Sequence, residues 1–255
     1  MSDLDLYYIV MAGMLVSAVL SFVSLFFVTA AYGRYVRPGW GPTLSATAGW
    51  ILMEAPSPLL FTLFWWLGSD EHQFSTPGLV FLALWLLHYV HRAFIFPFRR
   101  RGGQPRMPLS IAGMAVLFNC FNAWINAHWL YSLGPVRGTE WLWDPRFIAG
   151  ILLFGLGYFI NQQSDHILFS LRKPGETGYK IPQGGLYRYI SCPNYFGELV
   201  EWTGYALLTW SPGAWMFVIW TAANLVPRAR THHRWYQEKF PDYPPERKAV
   251  FPFLY

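Results

Sequence analysis

The chain has 255 residues, of which 54% are hydrophobic, 20% aromatic and 13% charged, about half the charged fraction of a typical soluble domain. Its mean hydropathy of +0.24 is held down by 14 Trp, 15 Tyr and 19 Pro, although Trp and Tyr favour membrane interfaces. This balance excludes a sizeable soluble domain, two cysteines exclude a disulfide framework, and a net charge of +5 spread over loops does not imply nucleic acid.

A membrane-crossing helix needs about 20 mostly apolar residues. Seven such stretches follow one another, at roughly 6–31, 47–67, 77–98, 108–132, 146–170, 194–210 and 213–235. The expected fold is an all-α integral membrane protein, a seven-helix bundle forming one domain over 1–255. The first stretch follows acidic Asp3 and Asp5 rather than a basic leader, so it reads as a retained span. Pro38, Pro77, Pro108, Pro145 and Pro193 mark connections or first turns. Loops after the first, third, fifth and seventh stretches hold sixteen of the nineteen basic residues; the opposite side has Arg137 and Arg146 among six acidic ones. That asymmetry places the N-terminus outside and the C-terminus in the cytosol. No internal repeat of the transporter kind is present.

Ionisable groups inside hydrocarbon are costly unless paired or facing a cavity, so they are functional candidates. Glu54 lies roughly 10 Å and Tyr89 roughly 13 Å from the cytosolic face, counted at 1.5 Å per helical residue. A carboxylate and a phenol thus reach similar depth on neighbouring spans. Asn161, Asp165 and Arg172 share one face of the fifth span, and Glu198 and Glu201 the first turns of the sixth. Asn224, Arg228 and His232 follow at four-residue steps on the seventh. A polar stripe of Asn119, Asn122, Asn126 and His128 runs outward along the fourth. One such stripe would be a satisfied helix contact, but three converging on the cytosolic end indicate a polar pocket. The loop from Arg172 to Gly185 is rich in glycine and basic residues, and with Arg92, Arg101 and Arg228 it suits a polyanionic cofactor. No metal-ligand spacing and no nucleophile elbow is present, so no metal is expected.

Several segments together resemble the membrane-embedded steroid 5α-reductases. They include Trp50-Ile51-Leu52-Met53-Glu54-Ala55-Pro56, His88-Tyr89-Val90-His91-Arg92, Asn161 with Ser164-Asp165-His166, and Leu171-Arg172-Lys173-Pro174-Gly175. Gly178-Tyr179-Lys180-Ile181-Pro182, Asn194-Tyr195-Phe196-Gly197-Glu198 with Glu201-Trp202, and His232-His233 with Trp235-Tyr236 continue the match in order. The resemblance implies NADPH-dependent reduction of the Δ4 double bond of a lipophilic 3-oxo steroid, testosterone- or progesterone-like. It gives Glu54 and Tyr89 the substrate's 3-keto oxygen, with Tyr89 as proton donor. It makes Tyr32, Trp50, Arg92, Arg101, Asn161, Asp165, Arg172, Tyr179, Lys180, Asn194, Glu198, Arg228, His232 and Tyr236 cofactor contacts, mostly within a half spanning 145–255. Arg99 or Arg100 fits the position of Arg101 as well. The implied setting is a bilayer, of the endoplasmic reticulum or a bacterial inner membrane, with the cofactor site facing the cytosol.

Met53, Gln162-Gln163 and Ser191-Cys192-Pro193 depart from the family pattern. Three other readings follow: reduction of another enone, sterol or polyprenol lipid; an isoprenylcysteine-type methyltransferase using S-adenosylmethionine; and a transporter with polar residues along a pathway.

Overall fold

Capping chemistry and proline set where most helices begin. The computed structural model describes residues 1–100, 106–173, 176 and 178–255. Helix α1 (Asp3–Phe27) opens on a capping box: the Ser2 hydroxyl accepts from the Asp5 amide, and the Ser2 amide donates to the Asp5 carboxylate. A 3-10 turn at Gly33–Tyr35 leads to strand β1 (Thr43–Ser45), and Ser45 then caps α2 (Ala46–Glu54). Helix α3 (Pro56–Trp66) follows almost at once. Pro56 and Pro58 have no amide hydrogen, so the carbonyls of Leu52 and Glu54 lack their usual helical donors and the ladder loosens at Glu54.

After the single turn α4 (Asp70–Gln73), helix α5 (Thr76–Val90) runs into a π-helical turn at His91–Ile95 and the short α6 (Phe96–Arg99). Pro97 cannot bond the Ala93 carbonyl, and the Phe96 amide reaches back five residues to His91. Strand β2 (Arg106–Pro108) pairs antiparallel with β1, Leu44 opposite Met107, and leads into α7 (Leu109–His128), which ends in a second π-turn at Trp129–Leu133. Helices α8 (Pro145–Ser170), α9 (Pro193–Thr209) and α10 (Pro212–Lys239) each begin with proline, whose missing amide costs nothing at that position.

Each expected span coincides with a helical stretch. Three of them, Asp3–Phe27, Thr76–Arg99 and Leu109–Leu133, are long and apolar enough to cross a membrane by length and composition. The second stretch is split between α2 and α3, and the last three carry the polar stripes. The all-α expectation needs one correction, the β1–β2 ribbon. Its strands have three residues each, too few to show the alternation by which a strand is recognised.

Helices α8 and α9 form the tightest pairing. A Cβ on Gly150 would lie 2.5 Å from the Leu208 amide, and one on Gly197 would lie 2.5 Å from the Asn161 amide. Gly157 and Gly204 meet the partner backbone at least as closely, so the two helices touch main chain to main chain. A buried aromatic column fills the centre beside them: Phe61 stacks on Trp85 at 4.4 Å, Trp85 meets Tyr89 at 4.9 Å, and Trp202 meets Phe217 at 4.4 Å. The C-terminal tail is fastened to the loop before α9. Its Arg247 is buried and donates to the Pro182 carbonyl and the Gln183 side chain, both at 3.0 Å.

Gly197→Ala forces a side chain into the α8–α9 seam and should cost about 3 kcal/mol of stability. Gly155→Ala, on the same pair but with nothing within 4 Å of the new methyl, should leave the thermal midpoint in detergent nearly unchanged.

Candidate functional site

A cavity of about 380 Å³ opens at the end of the bundle where α10 finishes and α1 gives way to the turn Gly33–Tyr35. Of the fourteen positions expected to contact a cofactor, eleven line it. Tyr32 comes from the segment after α1, Trp50 from α2, Arg92 from the π-turn and Asp165 from α8. Arg172, Tyr179 and Lys180 belong to the loop that follows, Asn194 to α9, and Arg228, His232 and Tyr236 to α10. The walls therefore draw on both halves of the chain rather than on 145–255 alone.

The remaining three stand apart. Asn161 lies behind the wall, its side chain donating to the Asn194 carbonyl at 3.0 Å; Asn194 in turn donates to Asp165 at 3.1 Å. The α8–α9 seam fixes that chain of contacts. Glu198 is within electrostatic reach of Glu54, His88, Arg92 and Arg228 without lining the cavity. Arg101 lies outside the described residues, whereas its neighbour Arg100 does line the wall.

Most cavity cations already have company. Arg92 sits over the rings of Trp50 and Phe96, at 4.7 and 4.4 Å, and is 3.6 Å from Asp165 Oδ2. Lys180 pairs with Glu176 at 2.6 Å. Arg228 donates to Asn224 Oδ1 at 2.9 Å and to the Tyr195 hydroxyl at 2.8 Å.

The hydroxyl of Tyr195 also contacts His232 Nε2 at 3.1 Å, and His232 Nδ1 contacts the Tyr35 hydroxyl at 3.0 Å. Proton bookkeeping fixes the roles. Arg228 can only donate, so the Tyr195 hydrogen is free for Nε2. The imidazole is then the Nδ1–H tautomer, donating to the Tyr35 oxygen. Burial raises the Tyr35 phenol to about 12, so it stays protonated. His232 accordingly bridges two phenols. Tyr35 and Tyr195 were legible only as neighbours of better signals: Tyr195 follows Asn194, and Tyr35 comes three residues after Tyr32. Burial also lifts the Cys192 thiol to about 12, which leaves it an inert part of the wall.

Glu54 and Tyr89 do not line the cavity. Each is bound loosely to α7: Asn119 donates to Glu54 Oε2 at 3.4 Å, and Asn122 donates to the Tyr89 hydroxyl at 3.5 Å. Asn119 and Asn122 are three apart and share a helix face, which brings the carboxyl and the phenol together. Trp50 is one turn before Glu54, and Arg92 about one turn after Tyr89. The two groups therefore lie one turn deeper than the cavity floor.

Beside Tyr89, His88 Nδ1 meets Glu201 Oε1 at 2.8 Å, both side chains almost fully buried. The imidazole packs on Trp202 at 4.6 Å and edge-on to Tyr89 at 5.0 Å. Residues 113 positions apart leave no periodic trace of such a pair. Among the described residues no cluster of three or more His, Cys, Asp or Glu is arranged to hold a metal.

Fold and site together define a helical membrane protein with a deep, cation-rich cavity next to a buried carboxyl and phenol. Comparison with known proteins is specific. Residues 105–255 match the family described as 3-oxo-5-alpha-steroid 4-dehydrogenase. The chain is 42% identical over its whole length to a steroid 5-alpha-reductase DET2 of Gossypium hirsutum, covering 99% of that protein. It is 46% identical to 3-oxo-5-alpha-steroid 4-dehydrogenase 1 of Bos taurus over 92% of each chain. The Homo sapiens protein of the same name is 44% identical, over 89% of this chain and 86% of its own. The chain belongs to the steroid 5α-reductase (3-oxo-5-alpha-steroid 4-dehydrogenase) family and is an oxidoreductase. Membership removes the methyltransferase and transport readings.

Removing one member of a buried hydrogen-bonded pair leaves the other unsatisfied. Glu201→Ala should therefore destabilise the protein by roughly 1–3 kcal/mol. Replacing His88 and Glu201 together should cost less than the two single changes added, as read by a double-mutant cycle of unfolding in detergent.

Proposed function

We propose that the protein reduces the Δ4 double bond of 3-oxo-Δ4-steroids to 5α-3-oxosteroids, using NADPH held in the cavity. The observation that carries this reading is the one-turn step between cavity floor and acid pair. On α2, Trp50 faces the cavity and Glu54 lies one turn in; on the α5 stretch, Arg92 faces the cavity and Tyr89 lies about one turn in. A cofactor entering between Trp50 and Arg92 brings its reactive end against whatever Glu54 and Tyr89 hold. The lining fits such a polyanion: Arg34, Arg92, Arg100, Arg172, Lys180 and Arg228 stand against Asp165.

When bound, NADPH supplies the hydride for C5. As that bond forms, negative charge moves onto the substrate's 3-keto oxygen as an enolate. Stabilising it requires a donor already aimed at that oxygen in a dry site. Tyr89 qualifies, because the Asn122 amide nitrogen donates to its hydroxyl while the Asn122 amide oxygen accepts from Asn126, so the phenolic hydrogen remains available to the keto oxygen. Glu54 polarises the same region or, when protonated, donates directly. His88 and Glu201 hold α5 against α9 so that Tyr89 cannot swing away. Tyr89 is packed against Trp85 and Trp202, so a steroid entering from the bilayer must part these side chains.

Basic loops gathered at the cavity end support a seven-span topology with the cavity facing the cytosol. The test is purified protein with NADPH and testosterone or progesterone. We expect a 5α-dihydro product, identified by mass, formed in step with NADPH oxidation. Saturable NADPH binding without turnover would move the substrate to another enone lipid. Tyr89→Phe and Glu54→Gln should each lower turnover by about 10²–10³-fold. Cofactor binding should survive in both, and full activity in both would sink the roles given to them.

A further inference from the structure

Arg34 differs from the other cavity cations. Its guanidinium carbon lies 4.3 Å from the Trp235 ring centroid, 4.9 Å from Tyr179 and 5.0 Å from Tyr236. Two of these rings come from the last turns of α10 and one from the loop after α8, and Tyr179 braces Trp235 edge-on at 4.9 Å. Among the described residues Arg34 has no ion pair, and its Nη1 is enclosed without a hydrogen-bond partner. Its charge is therefore met by π faces, which hold the plane in place but do not neutralise it.

Arg34 nevertheless lines the cavity, and it does so at the end away from the acid pair. Trp235 and Tyr236 lie three and four residues beyond His232, and the Trp50–Arg92 floor belongs to other helices. A planar, pre-ordered guanidinium with uncompensated charge favours a phosphomonoester, which offers two oxygens side by side and up to two charges.

Resting on the NADPH reading above, we propose that Arg34, held between Tyr179, Trp235 and Tyr236, grips the cofactor's 2′-phosphate and so selects NADPH over NADH. The nicotinamide end then faces Trp50 and Arg92, and the adenosine end faces the cage. Arg34 becomes a specificity residue rather than only a topology-setting charge of the first cytosolic loop.

The test is equilibrium binding to the full-length protein in detergent, followed by tryptophan fluorescence, with NADPH, NADH and 2′,5′-ADP as probes. Losing one charge-assisted contact should weaken NADPH and 2′,5′-ADP about 10- to 100-fold in Arg34→Gln, with NADH binding unchanged. Arg34→Lys keeps the charge but not the planar stack. It should show a smaller loss confined to the same two probes, and it serves if the glutamine variant does not fold. Equal loss for NADPH and NADH, or no loss for either, would overturn the assignment. Wild-type protein that binds neither dinucleotide would instead overturn the cofactor reading itself.

Discussion

Main-chain contact between α8 and α9 is the constraint on which the site depends. Glycines spaced seven apart on each helix, Gly150 with Gly157 and Gly197 with Gly204, leave no side chain where the two main chains come closest. In a membrane no water is expelled when helices meet, so close van der Waals approach supplies the attraction. The seam also sets position. It carries Asn161 and Asp165 to within hydrogen-bonding distance of Asn194, and it presents Glu201 to His88 from a helix that cannot rotate. A side chain anywhere along this line would displace both the cavity wall and the support of Tyr89.

The polar groups divide into two sets with different solutions to burial. Toward the open end, cations lie on aromatic faces: Arg34 on Trp235, Arg92 on Trp50, Arg228 on Tyr32. Aromatic rings tolerate a cation without discharging it, so these residues remain ready for an anion. Toward the interior, polar side chains are tied to one another or to main chain, as in His88–Glu201 and Asn126 with Asn122. Arg92 belongs to both sets, since it lines the cavity and feels Glu54, Asp165 and Glu198.

Much of this was legible because two signals are periodic. Hydropathy located the seven helical stretches, and four-residue spacing exposed Asn161 with Asp165 and Asn224 with Arg228 and His232. Contacts between distant segments were not legible. Nothing in the pattern links His88 to Glu201, Arg34 to Trp235 or Tyr35 to His232, because their geometry is set by helix packing. Depth counting put Glu54 and Tyr89 level, yet only the structure shows two asparagines of α7 meeting both. Of Arg99 and Arg100 only the second lines the cavity, which needed a fold to see: the π-turn sets the phase of that segment, and a widened turn leaves hydropathy unchanged.

That π-turn decides how the third helical stretch responds to a change of length. With one residue more than an α-turn holds, it absorbs an insertion between the part bearing Tyr89 and the part bearing Arg99 and Arg100. Deleting a single residue from His91–Ile95 would let the turn tighten to a plain α-turn with the segments on either side kept in phase. Tyr89 and Arg100 would both keep their faces, whereas a residue lost from a helix with no such spare position turns everything beyond it by about 100°. A gap of one position, which a comparison of sequences scores alike wherever it falls, is thus slight inside this turn and severe in an ordinary helix.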